Sequence, residues 1–123
     1  MATSISEMEQ TVAAALAPYK GILAADESTG TIGKRFKTLG VASSEETRRD
    51  YRELLLSARG LAKFISGVIL FDETIRQEST AGRPLPKLLI AQGMVPGIKL
   101  RGGTVPLPEF SGEKVTQCLD RLE

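Results

Sequence analysis

The sequence contains no histidine and a single cysteine among its 123 residues. Without histidine, these residues cannot form a Ser-His-Asp or Cys-His catalytic arrangement, or a histidine-based metal site. The one cysteine, Cys118, excludes an internal disulfide, and this favours a reducing compartment. Cys118 lies at helical spacing from Val115, Leu119 and Leu122, so we expect a small buried apolar residue and not a reactive thiol.

Long apolar runs and a charge excess of either sign are also missing. No run approaches the ~20 apolar residues that span a bilayer. The first ten residues carry Glu7 and Glu9 where a secretory signal would carry basic residues. Sixteen basic and fifteen acidic residues give a formal charge of +1, which is no reason to expect nucleic acid or an anionic membrane as partner. We therefore expect a soluble, cytoplasmic protein without membrane insertion.

Short apolar runs that end abruptly in polar strings are typical of buried parallel strands. The predicted strands are residues 21–25, 67–71 and 95–100. Amphipathic segments separate them, and this order predicts an α/β fold in which helices cover a parallel sheet. Nothing resembles a linker between domains, so residues 1–123 are expected to form one domain, with a helix within residues 1–17 before the first strand.

Capping-box spacing predicts the starts of two helices, at Ser6 with Glu9 and at Ser43 with Glu46. Apolar periodicity predicts helices around Phe36 and Leu89, and a last helix over residues 113–123. The side chains expected to face the core are Met8, Val12, Ala15 and Leu16; Ile32, Phe36 and Leu39; and Tyr51, Leu54, Leu55 and Ala58.

Polar side chains lie at the carboxyl ends of all three predicted strands, as Asp26-Glu27-Ser28, Asp72-Glu73-Thr74 and Lys99. In parallel α/β folds the functional residues lie at the carboxyl ends of the strands. The first of these ends is the richest in chemistry. The second is explained adequately by helix capping.

The first strand end has the composition of a phosphate site. Two adjacent carboxylates leave the strand, and the start of the next helix offers backbone amides, which bind anions. The other contributing groups are the hydroxyls of Ser28, Thr29 and Thr31 and the positive charges of Lys34 and Arg35. A carboxylate such as Asp26 beside bound phosphate is able to move protons on a substrate. Helix capping by Asp26 or Ser28, with Lys34 and Arg35 in solvent, explains the same pattern.

Lys99 projects from one face of the third strand near its end. Lysine in an apolar strand is costly to bury unless it meets an anion or works as a nucleophile. From the residues alone, Lys99 is a candidate for a Schiff base. A side chain that merely extends to solvent is the alternative.

The segment 20–30, KGILAADESTG, followed by Lys34-Arg35, resembles the first-strand motif of class I fructose-bisphosphate aldolases. Further matches continue in order and at family-like spacing to the end of the chain. They are Glu45-Glu46 with Arg48-Arg49, Leu54-Leu55-Leu56, residues 67–71 with Glu73-Thr74, Gly82-Arg83-Pro84, Gly97-Ile98-Lys99, Val105-Pro106-Leu107, Gly112-Glu113 and Thr116-Gln117.

This resemblance implies a TIM barrel, of which the chain supplies about the first three βα units after the N-terminal helix. Such barrels take about 250 residues, so 123 residues are expected to form an incomplete, N-terminal part. The implied reaction is reversible cleavage of fructose 1,6-bisphosphate to dihydroxyacetone phosphate and glyceraldehyde 3-phosphate. It proceeds through a lysine Schiff base, with no cofactor and no metal. For the full-length protein, the resemblance implies a homotetramer and cytoskeletal partners.

The resemblance also implies a role for each matching residue. Asp26 corresponds to the catalytic aspartate that contacts the C4 hydroxyl and takes part in proton transfer. The substrate-binding positions are Ser28, Thr31, Lys34, Arg35 and Lys99. Lys99 is then a substrate-binding lysine and not the Schiff-base lysine. By the family's pattern, the Schiff-base lysine and the proton-accepting glutamate lie beyond residue 123, so the isolated chain is expected to be inactive.

Two other functions are compatible with the sequence. A non-catalytic, aldolase-derived chain with an interaction role keeps the resemblance but not the chemistry. An unrelated phosphate-binding α/β domain explains only the segment from Ser28 to Arg35 and leaves the ordered matches unexplained.

Overall fold

The computed structural model describes residues 4–100 and 103–117. Helix α1 (Ile5–Ala15) leads into strand β1 (Gly21–Ala25), followed by helices α2 (Thr29–Thr38) and α3 (Glu45–Leu56). A 3₁₀ turn at Leu61–Lys63 precedes β2 (Ile65–Leu70), α4 (Asp72–Ile75), α5 (Leu85–Ala91) and β3 (Val95–Ile98). Two short strands, β4 (Thr104–Pro106) and β5 (Lys114–Thr116), complete the described elements.

The first three strands form a parallel sheet in the order β1-β2-β3. Ala25 pairs with Leu70, and Leu70 pairs with Ile98, so the three strands end level with one another. The polar residues after each strand are thereby brought to one edge. The mixed α/β architecture with a parallel sheet confirms the predicted α/β class.

The core lies between this sheet and the helices that follow its strands. It is built from Ala25, Leu56, Val68, Leu70, Leu85, Leu89 and Met94. Residues of a strand alternate between faces, so Ile22 and Ala24 point away from this core. Both are exposed, with Ile22 at 51%. At β1, therefore, the described part of the chain covers only one face of the sheet.

Both capping boxes exist, but not at the predicted residues. Ser4 caps α1 through the backbone of Glu7, and Ser44 caps α3 through Thr47. The buried face of α3 also differs, because Arg52 and Leu56 are buried whereas Leu54 is 75% exposed. Leu39 lies just after the end of α2 and is exposed. Met8 and Val12 of α1 are exposed as well, as is Leu16 just after it, so the core-facing side expected for this helix is wrong.

The helix expected over residues 113–123 is wrong where the chain is described. Lys114–Thr116 is a strand that pairs antiparallel with β4, and Val115 lies opposite Val105. This hairpin also adds two strands to the three that were expected. The interpretation of Cys118 as a buried residue, with Leu119 and Leu122 beside it, lies outside the described residues.

No helix in residues 4–100 and 103–117 is long and apolar enough to cross a membrane.

Candidate functional site

Asp26 and Lys99 meet at the carboxyl edge of the parallel sheet. The Lys99 ammonium nitrogen lies 3.1 Å from Asp26 Oδ2 and donates a second hydrogen bond, of 3.3 Å, to the Asp26 carbonyl. The Lys99 backbone N–H donates to the Leu70 carbonyl at 2.9 Å, which ties this residue to the end of β2. The three strand ends thus form one connected group.

This ion pair is partly shielded from water and still accessible. The Asp26 side chain is 24% exposed and that of Lys99 is 32% exposed. A carboxylate in such a position is able to accept a proton from a bound molecule, and the ammonium beside it is able to hold an oxygen or an anion. Of the possibilities that the sequence left open for Lys99, the structure shows a contact with an anionic group, the Asp26 carboxylate.

Ser28 begins α2 and caps it. Its hydroxyl accepts a hydrogen bond from the Thr31 backbone N–H at 3.3 Å, and the two side-chain hydroxyls lie 3.1 Å apart. The capping role that the sequence left open is thus present for Ser28. The arrangement keeps both hydroxyls at the helix N-terminus, where the backbone N–H groups favour an anion.

Of the two basic residues on α2 that were predicted to bind substrate, Lys34 and Arg35, Arg35 makes the more extensive contacts. Its guanidinium forms an ion pair with Glu27, and its side chain remains 56% exposed. Glu27 also holds Arg52 from α3: Arg52 Nη1 lies 2.6 Å from Glu27 Oε2, and Nη2 donates to the Glu27 carbonyl at 2.9 Å. Lys34 is exposed on α2.

Glu27 stays ionised although it is largely buried. Burial by itself would raise the pKa of its carboxyl. A backbone hydrogen bond, the charge and hydrogen bond of Arg52, and the hydrogen bond of Arg35 outweigh burial and hold the pKa below its usual value. The same contact raises the pKa of Arg35 further above its already high value.

A second arginine–glutamate pair lies at the end of β2. Arg48 Nε and Nη2 donate to the two carboxylate oxygens of Glu73 at 2.8 and 2.7 Å. Neither the Arg52–Glu27 pair nor the Arg48–Glu73 pair was predicted from the sequence. The available signal was the i, i+4 spacing of Arg48 and Arg52 on one predicted helix, with Glu27 and Glu73 following successive strands.

An open groove of about 640 Å³ lies elsewhere, at the start of α3. Its lining residues are Glu45, Glu46, Arg49, Arg76, Gln77, Glu78 and Ser79. None of the predicted site residues lines this groove. Within the described residues no group of three or more His, Cys, Asp or Glu side chains is arranged to hold a metal ion.

Comparison with known proteins yields one consistent family. The family model described as fructose-bisphosphate aldolase class-I matches residues 7–123. A probable class 1 fructose-bisphosphate aldolase of Xylella fastidiosa is 52% identical over 119 residues, which are 97% of this chain and 36% of that protein. Fructose-bisphosphate aldolase 1 of Toxoplasma gondii is 55% identical over 106 residues, 86% of this chain and 29% of that protein.

A solved structure agrees with these matches. It is a fructose-bisphosphate aldolase from Plasmodium falciparum, crystallised with TRAP and a small-molecule inhibitor, and it superposes with a TM-score of 0.87 at 47% identity. The superposition covers 94% of this chain and 33% of that one. The chain thus spans about a third of the length of the relatives that it matches.

Proposed function

This chain belongs to the class I fructose-bisphosphate aldolase family, and from that premise we propose that it forms one wall of an aldolase active site. The proposed reaction of the whole protein is the reversible cleavage of fructose 1,6-bisphosphate to dihydroxyacetone phosphate and glyceraldehyde 3-phosphate. The observation that carries this proposal is the contact between Asp26 and Lys99 at the carboxyl edge of the sheet.

The fold proposed for these residues is the first three βα units of a (β/α)₈ barrel. Three parallel strands in sequential order, with helices between them along the chain, support this topology. The exposure of Ile22 and Ala24 also supports it, because a barrel would turn that face of β1 inward. Further strands would have to come from residues outside these 123.

Asp26 is the proposed proton-transfer group. Cleavage breaks the C3–C4 bond: its electron pair moves toward C3 and a protonated Schiff base, while the C4 hydroxyl loses its proton and becomes the aldehyde oxygen. A carboxylate near that hydroxyl eases the proton's departure. Lys99 holds Asp26 at both its carboxylate and its carbonyl, and so limits the positions that the carboxylate takes.

The start of α2 is the proposed phosphate-binding part of the wall. It offers Ser28 and Thr31 with the backbone amides, and Lys34 and Arg35 supply charge. Arg35 is free to exchange partners, because Glu27 keeps Arg52 as a second counter-ion when Arg35 turns toward a phosphate. The exchange leaves no buried carboxylate unpaired.

Lys99 is not the proposed nucleophile. A Schiff base needs a nitrogen lone pair directed at a carbonyl carbon, whereas the Lys99 nitrogen donates to two oxygens of Asp26. We propose that the Schiff-base lysine lies outside residues 1–123 and that these residues alone are inactive.

A chimera tests the proposal directly. In the Xylella fastidiosa relative, the 119 aligned residues are replaced by the matching residues of this chain. We expect the chimera to cleave fructose 1,6-bisphosphate in a coupled assay. Asp26→Asn should lower kcat by at least about 100-fold, the usual scale for removing a proton-transfer group. Asp50→Asn is the matched control, since Asp50 is exposed and pairs with Arg49.

Two results would contradict the proposal. One is a folded chimera that does not cleave the sugar bisphosphate. The other is an Asp26→Asn variant as active as the Asp50→Asn control.

A non-catalytic interaction role for the 123-residue chain is the second candidate. The observation that favours it is an exposed apolar stripe, formed by Ile5, Met8 and Val12 of α1 and by Leu16 just after its end. A sharp, reversible thermal transition of a soluble monomer would support this role. Aggregation with a broad transition would speak against it, and would fit a piece that depends on the rest of a barrel.

A further inference from the structure

Helix α3 holds the ends of two strands through two arginines. Arg48 and Arg52 are four residues apart and so lie on the same side of the helix. Arg52 binds Glu27, the second residue after β1, and Arg48 binds Glu73, the third residue after β2. The two contacts join residues 25 positions apart in the sequence.

Of the two arginines, Arg52 is the more deeply buried, and its partner residue is held at two atoms of different groups. Only 3% of the Arg52 side chain is exposed, against 14% for Arg48. The Arg52 guanidinium donates two hydrogen bonds to Glu27, one to the carboxylate at 2.6 Å and one to the main-chain carbonyl at 2.9 Å. A buried charge is costly unless it is paired and hydrogen-bonded, so the turn is not free to leave Arg52.

Holding residue 27 constrains Asp26. The two residues share one planar peptide unit, whose carbonyl belongs to Asp26. That carbonyl accepts the hydrogen bond from Lys99, while Arg52 holds the next residue along the chain from the side of α3. The turn after β1 is therefore fixed between a lysine on one side and a buried arginine on the other.

We propose that Arg52 is a positioning residue of the site: by holding Glu27, it fixes the turn after β1 so that the Asp26 carboxylate meets Lys99. The hydrogen bonds and the ion pair of Arg52 go to Glu27, and not to Asp26 or Lys99. Its effect on the reaction rests on the proposed function, whereas its effect on the Asp26–Lys99 contact does not.

The test uses the chimera with Arg52→Gln and the conservative Arg52→Lys. Arg48→Gln is the matched control. It also removes an arginine–glutamate pair made by α3, but the arginine lies one helical turn from Arg52 and its partner Glu73 follows β2. The first readout is the rate at which a limiting acetylating reagent modifies each lysine, measured by mass spectrometry. Lys63 is the internal reference. It is exposed, and it precedes β2, so it lies before the amino end of that strand and not at the carboxyl edge of the sheet.

We expect Arg52→Gln to raise the acetylation of Lys99 several-fold relative to Lys63, because the lysine loses a fixed partner. Arg48→Gln should leave that ratio unchanged. The second readout is kcat, which should fall by roughly 10- to 100-fold in Arg52→Gln, since small misplacements of reacting groups have costs of that size. A single ammonium cannot hold both oxygens of residue 27, so Arg52→Lys should recover part of each effect.

The outcomes separate a positioning role from a purely structural one. An unchanged Lys99 ratio in folded Arg52→Gln, or an equal rise at every lysine in both glutamine variants, would overturn the proposal. If Arg52→Gln does not fold, the same criteria apply to Arg52→Lys. A parent chimera without activity that still shows the selective Lys99 effect would refute the proposed function and support the positioning role.

Discussion

Glu27 binds two arginines of unlike character. Arg52 is 3% exposed and Arg35 is 56% exposed. Exposed ion pairs contribute little, commonly between about 0 and 1 kcal/mol, because water screens them. Removing one partner of a buried pair costs far more, since the other charge stays behind. At this residue the stabilisation therefore comes from Arg52, and Arg35 remains available for other partners.

The lowered pKa of Glu27 predicts how stability depends on pH. Its folded-state pKa lies below the unfolded value of about 4.3, so its contribution is present above that value and is lost as the pH falls through the folded pKa. In the chimera, Glu27→Gln should cost about 3 kcal/mol at neutral pH. The difference from the parent should shrink below about pH 4. Urea unfolding at a series of pH values measures it.

Glu9→Gln is the control for this experiment, because Glu9 is exposed on α1. It should change stability little at any pH. A Glu27→Gln difference that stays constant or grows in acid would contradict the assignment of Glu27 as a carboxylate stabilised in its charged form.

The hydrogen bonds at the start of α3 predict which of two adjacent serines, Ser43 or Ser44, contributes more to stability. Ser44 accepts from the Thr47 backbone N–H at 3.1 Å, and the Thr47 hydroxyl accepts from the Ser44 backbone N–H at 2.9 Å. Ser44→Ala should therefore destabilise the chimera by about 1 kcal/mol in urea unfolding, the usual cost of a lost cap. Ser43→Ala removes only an exposed 3.3 Å contact to Arg48 and should have a smaller effect. Equal losses would contradict the cap at Ser44.

The same helix shows where sequence reasoning succeeds and fails. Two serines in a row both precede acidic residues, so spacing alone favoured Ser43 with Glu46. The choice of Ser44 depends on the Thr47 hydroxyl reaching back, which is a local geometric detail. The burial of Arg52 was not predictable from periodicity, because an arginine counts as polar until a distant carboxylate such as Glu27 neutralises it.

The strands were easier to predict than the caps. Gly21–Ala25 is an apolar run with polar residues on both sides, and its observed bounds equal the predicted ones. The hairpin of β4 and β5 was missed because Val115 has helical spacing to Leu119 and Leu122. Val115 pairs with Val105, ten positions earlier in the chain. The periodicity of residues 113–123 alone does not indicate that pairing.

The site was partly predictable for the same reason that the strands were. Asp26 and Lys99 were each identified as a residue at the carboxyl end of an apolar strand, and a parallel sheet brings such ends to one edge. Their direct contact depends on the register that aligns Ala25, Leu70 and Ile98. That register is set by tertiary packing, and nothing in either segment specifies it.

At the scale of the molecule, the sheet ends at β1 on one side and β3 on the other. Edge strands present unpaired backbone groups, and Ile22 adds an exposed apolar side chain to the face of β1. The relatives are about three times as long as this chain, so they have further residues that could cover the edge strands and the exposed face of β1. We therefore propose that folding and chemistry both need segments such as those that the longer relatives have in addition.

Borohydride trapping tests this dependence for the chemistry. Borohydride reduces a Schiff base to a stable secondary amine, so a lysine that attacks the substrate ketone becomes covalently labelled. Residues 1–123, incubated with fructose 1,6-bisphosphate and borohydride, should carry no adduct by mass spectrometry, because Lys99 donates to Asp26. The chimera, treated in the same way, should be labelled on a lysine outside the transplanted residues. Labelling of Lys99 in either protein would show that the strand lysine is the nucleophile and would overturn its assignment as a binding residue.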